Sequence, residues 1–425
     1  MHTFTSVFLT ALAVHVCVQL WLAARQIRHV RAHRNRIPPE FSAVISPTEH
    51  EKAANYTLGK QRLAVIESVV DAVVLLWLTL GGGIAWVGRI AGAIGLPSLL
   101  TGVAHILGLF ATLSLLALPF GVYRTFVLEQ RFGFNRTTPG VFLADQCKGL
   151  ALGAALGAPL AAAVLWVMHS AGARWWLLAW AVWLAFSLLV TWAWPRLIAP
   201  LFNKFSPLDD TALRQRIDAL LERCGFRTSG VFVMAGSRRS AHGNAYFTGL
   251  GREKRIVFFD TLVSTLTAVQ VESVLAHELG HFKLKHVTKR LAVGAATSFL
   301  GFAALGWLAQ KGWFYSALGA GAPSDATALL LFLFVVPTFA WMLAPLAAAW
   351  ARRHEFEADA FAARHSDGAE LAGALVTMYK DNASTLTPDP LYSAFHDSHP
   401  PPAARIARLI ASTRPRPTAT TSASM

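Results

Sequence analysis

Seven apolar stretches, near residues 4–24, 68–87, 100–121, 151–170, 176–195, 292–310 and 327–350, are almost free of charged side chains. At the rise of an α-helix each can cross a hydrocarbon core of about 30 Å, and in lipid a helix satisfies its own backbone polar groups. The pattern predicts seven membrane-spanning helices. Between the fifth and sixth, polar positions return. Leu213, Ile217, Leu220 and Leu221 recur at helical intervals behind Asp209-Asp210 and stop at Gly225, and 231–234 is a short β-prone run. Two more such runs, 244–248 and 255–259, are joined by a glycine-containing loop and predict a hairpin. Thr267-Ala268-Val269-Gln270 has the form of a capping box. Val271, Val274, Leu275, Leu279 and Phe282 then share one face, predicting a helix over about 268–285. The chain thus divides into a five-span region over 1–195, a polar segment over 196–290, two spans within 291–350, a second polar segment over 351–411 and a tail over 412–425. That tail is rich in Thr, Ser and Pro and is expected to be disordered. The two polar segments are expected to pack together as one catalytic unit.

Composition agrees with a membrane protein, at 54% apolar and 15% charged residues. The net charge of +14 raises nucleic-acid binding as an alternative, but its distribution gives another cause. With the N-terminus outside, all but three (Arg89, Arg174, Lys311) of the 38 Lys and Arg residues fall on the inner side, as the positive-inside rule describes. Nucleic acid is therefore not an expected partner. Arg25, Arg28, Arg31, Arg34 and Arg36 are expected to anchor the first span at the cytoplasmic face and to meet anionic lipid. The Ala-rich composition fits a bacterial inner membrane with the polar segments on the cytoplasmic side; in a eukaryote the matching membrane is the endoplasmic reticulum. The first stretch has no basic residue before it and carries charge after it, so it reads as an uncleaved anchor. Cys17, Cys147 and Cys224 are widely separated and support neither a disulfide framework nor a cysteine metal site.

The candidate chemistry lies on the predicted helix over 268–285, in His277-Glu278-Leu279-Gly280-His281. Residues four apart stand one turn above each other, so His277 and His281 can present nitrogens to one Zn²⁺ at about 2.0–2.1 Å. Zinc lowers the pKa of water toward about 7, and the neighbouring Glu278 is placed to take its proton as general base and return it to the departing amine. A chance occurrence of two surface histidines around a glutamate is a weak rival, given the cap and the upstream β-prone runs.

A catalytic zinc usually takes three protein ligands, and no histidine stands where the longer three-histidine motif would place one. The segment Arg353-His354-Glu355-Phe356-Glu357-Ala358-Asp359 directly follows the last span. Glu355 is the favoured third ligand, with Glu357 and His354 as alternatives. Asp359, four residues on, would accept a hydrogen bond from the outer nitrogen of a zinc-bound histidine, most simply His277. Without the motif, the same segment would read as a solvated juxtamembrane helix with Arg352 and Arg353 facing lipid headgroups.

Other stretches accompany these in order: Glu129-Gln130-Arg131-Phe132-Gly133-Phe134-Asn135, residues 240–247 with Asn244-Ala245-Tyr246, residues 255–262, residues 355–361, then His399-Pro400-Pro401 and Arg405. In this combination the chain resembles the type I CAAX prenyl endopeptidases over most of its length. Gly243 stands where many relatives have serine. The resemblance implies a mainly α, polytopic membrane fold of about seven helices enclosing a chamber, closed by a small α+β zincin-type (gluzincin) catalytic domain with one zinc facing inward. It also implies a peptide or protein substrate, including chains with a prenylated C-terminal CAAX sequence. Substrate would pair by β-addition with Asn244-Ala245-Tyr246, aligned by Asn244. His399 would stabilise the oxyanion, and Arg405 would lie near the site. Taken alone, these would be a turn asparagine, a loop histidine and a surface arginine.

Three other functions compete. A heat-shock-type quality-control zinc protease shares the motif, but such proteins are shorter with fewer spans. An idle membrane scaffold or transporter would not need Glu278. A protease that cuts within membrane helices would carry the motif in an apolar span, whereas here it follows a polar segment and precedes Lys283, Lys285 and Lys289.

Overall fold

The computed structural model describes residues 2–226, 228, 230–248 and 255–413. Among these, six helices are long and apolar enough to cross a membrane: Thr3–His33, Ser98–Glu129, Pro139–Ser170, Gly172–Phe202, His286–Leu308 and Asp325–His365. The pair Pro47–Leu78 and Gly83–Ala93, bent by 57°, makes a seventh if taken as one span. The span expected over 68–87 is therefore not one straight helix. At the break Thr79 turns its hydroxyl back to the Leu75 carbonyl at 2.7 Å, and Gly82 takes φ 74°, a left-handed conformation open to glycine at little cost. The last span is also interrupted. Asp325–Val335 ends just before Pro337, whose ring removes a backbone donor, and Ala344–His365 carries the chain on into the catalytic unit.

Several helices outrun their apolar stretches. Thr3–His33 has 31 residues, about 46 Å at 1.5 Å each, so its basic end projects past a core of about 30 Å. Leu115, Leu189, Leu300 and Leu346 are exposed on these helices, as lipid-facing positions require. The basic run does not all face lipid, however. Arg25 donates to both carboxylate oxygens of the buried Asp389 at 3.2 and 3.0 Å, and Arg34 lies 3.6 Å from Glu51. Arg25 is thus a clamp between the first helix and the C-terminal segment.

The polar segments share one core. Leu213, Ile217 and Leu220 of helix Thr211–Arg223 pack with Ile256 and Phe258, with Val271, Leu275 and Leu279, and with Leu371, Leu375 and Ile406 from the C-terminal side. Four strands, β1 (Phe205–Pro207), β2 (Gly230–Met234), β3 (Ala245–Thr248) and β4 (Arg255–Phe259), form a sheet in the order β1-β2-β4-β3. β2 and β4 are parallel, whereas β1 and β3 are antiparallel to their neighbours. β3 and β4 form the expected hairpin, whose loop lies outside the described residues. β1 was not anticipated, because three residues ending in proline give no alternation to read. β3 is an edge strand beside the motif helix, Ala268–Lys283, whose capping box between Thr267 and Gln270 is formed. The described residues end in helix Pro402–Thr413, which takes in Ser412 and Thr413 of the tail expected to be disordered; the rest of that tail lies outside the described residues.

Candidate active site

The motif helix lies against Ala344–His365, and Gly280 allows the close approach. A Cβ on Gly280 would stand 3.1 Å from Ala358 Cα and from Phe361 Cβ. This contact sets His277 and His281 opposite Glu355.

Three donor side chains converge there. His277 Nε2 and His281 Nε2 are 3.2 Å apart, His277 Nε2 is 3.5 Å from Glu355 Oε2, and His281 Nε2 is 3.3 Å from Glu355 Oε1. A tetrahedral ion with bonds of about 2.0–2.1 Å separates its ligand atoms by about 3.3–3.4 Å, so the spacing suits a single metal. Glu355 Oε2 gives a second indication. It is buried, and nitrogens of His277, His399 and Arg405 surround it at 3.5, 2.8 and 3.7 Å, yet it accepts no well-directed hydrogen bond. A cation among the three ligands would satisfy it.

The outer nitrogen of His277 meets Asp359, with Nδ1 2.9 Å from Oδ1. Asp359 also accepts two hydrogen bonds of 2.7 Å from Arg405, a fork that holds it in place. All three side chains are buried. Burial and the adjacent guanidinium push the His277 imidazole down, but hydrogen bonding to Asp359 and Glu355 outweighs both and raises it to about 9. The pocket is built to hold positive charge. Burial likewise opposes the Arg405 charge, and its bonds to Asp359 prevail and raise its pKa.

Asn244, His277, Glu278, Glu355, His399 and Arg405 line one cavity of about 750 Å³, which Lys60 and Glu129 of the membrane helices also border. Glu278 is partly exposed to it. His399 sits on a loop held from beneath, where Arg352 donates to the carbonyls of Ser393 and Asp397 at 3.1 and 2.8 Å. Arg352 is thus a loop anchor rather than a headgroup contact. Of the expected substrate segment, only Asn244 lines this cavity; Ala245 packs on the core, and Tyr246 lines a separate hollow with Phe232 and Val257. The backbone of β3 nonetheless stands at the edge of the sheet. Phe259 N–H donates to the Asn244 carbonyl at 2.9 Å, so the alternation of an antiparallel pair turns Ala245 outward, where its N–H donates to Asn244 Oδ1 at 2.8 Å.

Sequence reasoning missed the support around this strand. Glu129 lies 3.5 Å from His242 and accepts from Tyr56, while Asn382 Oδ1 accepts from Gly243 N–H at 3.0 Å and its amide donates to the Gly243 carbonyl at 3.3 Å. It also missed His286. Neither alternative third ligand joins the donor triad, and Glu357 and His354 instead cluster with His286.

Two family models cover the chain: the CAAX prenyl protease N-terminal region with five membrane helices matches residues 26–204, and peptidase family M48 matches 207–413. The CAAX prenyl protease 1 homolog of Arabidopsis thaliana is 34% identical over 374 residues, covering 86% of this chain and 88% of that protein. The Homo sapiens homolog is 30% identical over 433 residues, covering 90% and 91%. The crystal structure of S. mikatae Ste24p superposes with a TM-score of 0.90 at 28% identity, covering 96% of this chain and 99% of that one. With six to seven candidate membrane spans among its described residues, its M48 catalytic unit and a site whose donors suit one metal, this chain belongs to the CAAX prenyl protease family of multi-pass membrane metallopeptidases.

Proposed function

We propose that the metal is zinc, held by His277, His281 and Glu355, and that the protein cleaves peptide bonds near the C-terminus of prenylated CAAX proteins. The observation that carries this reading is the tetrahedral spacing of two imidazoles and one carboxylate, a donor set suited to zinc, in a cavity also lined by Asn244 at the start of the edge strand. Zinc bound there supplies a Lewis acid that acidifies water and polarises the scissile carbonyl.

The remaining roles belong to the chain. Glu278, next to His277 in the chain and open to the cavity that His277 lines, takes the proton of the attacking water and passes it to the leaving amine. Asp359, fixed by Arg405, accepts from His277 Nδ1 and so directs its Nε2 lone pair at the metal. His399, within hydrogen-bond reach of the ligand set, donates to the developing oxyanion. The Ala245 backbone offers substrate an edge to pair with, while Asn244 aligns it. The prenylated CAAX substrate is read from the names of the relatives, and the cytoplasmic placement of the catalytic unit from the distribution of Lys and Arg.

Detergent-purified protein should cleave a farnesylated CAAX peptide, and Glu278→Gln should lower kcat by about 10²–10⁴-fold with zinc retained. Undiminished cleavage by Glu278→Gln would remove Glu278 as base. Cleavage of misfolded membrane proteins but of no prenyl peptide would assign quality control instead.

A further inference from the structure

One buried imidazole beside the ligands has no part in the mechanism above. His286 opens helix His286–Leu308 and is 1% exposed. The chain reaches it by a sharp reversal after the motif helix, where Lys285 takes a left-handed φ of 57°, a costly conformation for a side-chain-bearing residue. The reversal folds His286 back onto the ligand imidazole: its Nδ1 lies 3.0 Å from His281 Nδ1. Its Nε2 lies 3.0 Å from Glu357 Oε2, and Glu357 Oε1 accepts from Arg353 Nε at 2.9 Å.

The protons along this chain have one consistent assignment. A metal on His281 Nε2 leaves Nδ1 as the N–H donor. His286 Nδ1 must then accept, so His286 carries its single proton on Nε2 and donates it to Glu357. We propose that His286 is a positioning residue for the metal ligand His281, transmitting to it the anchoring of Glu357. The inference rests on reading His281 as a ligand through Nε2. Both ligand imidazoles then have their outer nitrogen engaged, His277 directly by a carboxylate and His281 through a second imidazole.

The same residues invite a rival reading, a second metal held by His286, His354 and Glu357. Ring geometry opposes it. The His286 and His354 rings stack with centroids 4.0 Å apart and planes 11° from parallel. Imidazole lone pairs lie in the ring plane, so parallel stacked rings cannot direct them at one ion between the faces. Lys289, Arg290 and Arg353 add positive charge around the cluster. His354 instead covers the face of His286 and fixes its plane.

The test uses full-length protein in detergent and reads metal binding, which does not depend on the substrate. His286→Phe keeps a ring against His354 but removes the acceptor; His286→Asn restores an amide oxygen that can accept from His281. Zinc affinity by chelator competition should fall about 10–100-fold in His286→Phe and recover in His286→Asn. The visible spectrum of the cobalt-substituted protein should change in step. Unchanged affinity in His286→Phe, with zinc lost in Glu355→Ala, overturns the relay but keeps the ligand assignment; zinc retained in both overturns the ligand assignment itself. A second equivalent of cobalt that His286→Phe abolishes would replace the relay by a metal site. Should His286→Phe not fold, Glu357→Ala reads the same chain from its outer end. A loss of about tenfold in zinc affinity is expected there, and no loss overturns the proposal.

Discussion

Raising the pH through the neutral range should destabilise the metal-free protein and spare the zinc-loaded one. His277 titrates at about 9 in the fold against 6.5 for a free imidazole, because its bonds to Asp359 and Glu355 outweigh burial and the Arg405 charge. A raised value means that the folded state holds the proton more tightly, so the contribution is fully present below about 6.5 and is lost as pH rises through about 9. The interval between those values corresponds to on the order of 3 kcal/mol at about 1.36 kcal/mol per unit. In the zinc-loaded protein the metal has displaced this proton, and the term vanishes. Thermal unfolding from pH 6 to 10, with chelator and with excess zinc, reads the difference directly. Zinc affinity should also rise about tenfold per pH unit below 9 from this proton alone. A chelated protein whose midpoint stays flat between pH 6.5 and 9 would refute the reasoning, and so would equal slopes in the two forms.

Gly280→Ala should cost about 1–3 kcal/mol and reduce zinc content, since the new methyl meets backbone at Ala358 and pushes the His281 helix from the Glu355 helix; unfolding and metal analysis check both. Arg405→Lys keeps the charge but cannot make two bonds of 2.7 Å to Asp359, so a loss of about 1.5–3 kcal/mol is expected in the same unfolding assay. Asn382→Ala should leave zinc content unchanged and lower kcat/KM about tenfold or more, because the Gly243 N–H and carbonyl beside Asn244 both lose the side chain they bond.

The sequence discloses elements wherever one local rule decides the outcome. Charge-free length marks the membrane helices, and Thr267 and Gln270 mark where the motif helix begins. A span boundary is harder to read, because the apolar count does not register a backbone turn. Leu75 through Val87 stays hydrophobic across Thr79–Gly82, although the chain bends there by 57°. The last span in the chain, Asp325–His365, hides two breaks for the same reason, and only Pro337 and Pro345 in its sequence mark them.

The site divides along a similar line. His277, Glu278 and His281 are legible because a helix places residues four apart on one face, and Glu355 with Asp359 repeats that spacing on a second helix. Their partners depend on contacts between distant segments. Arg405 reaches Asp359 across 46 residues, and Asn382 reaches Gly243 across 139. No periodicity connects such pairs; what selects them is the cost of leaving a charge or an amide buried without a partner. These site elements are accordingly held by residues distant in the chain: Asp359 by Arg405, the His399 loop by Arg352, and the residues leading into the edge strand by Asn382 and Glu129. His286 follows the same logic at closer range. It lies five residues past His281, off the helical face that residues four apart would share, and the left-handed turn at Lys285 returns it to His281.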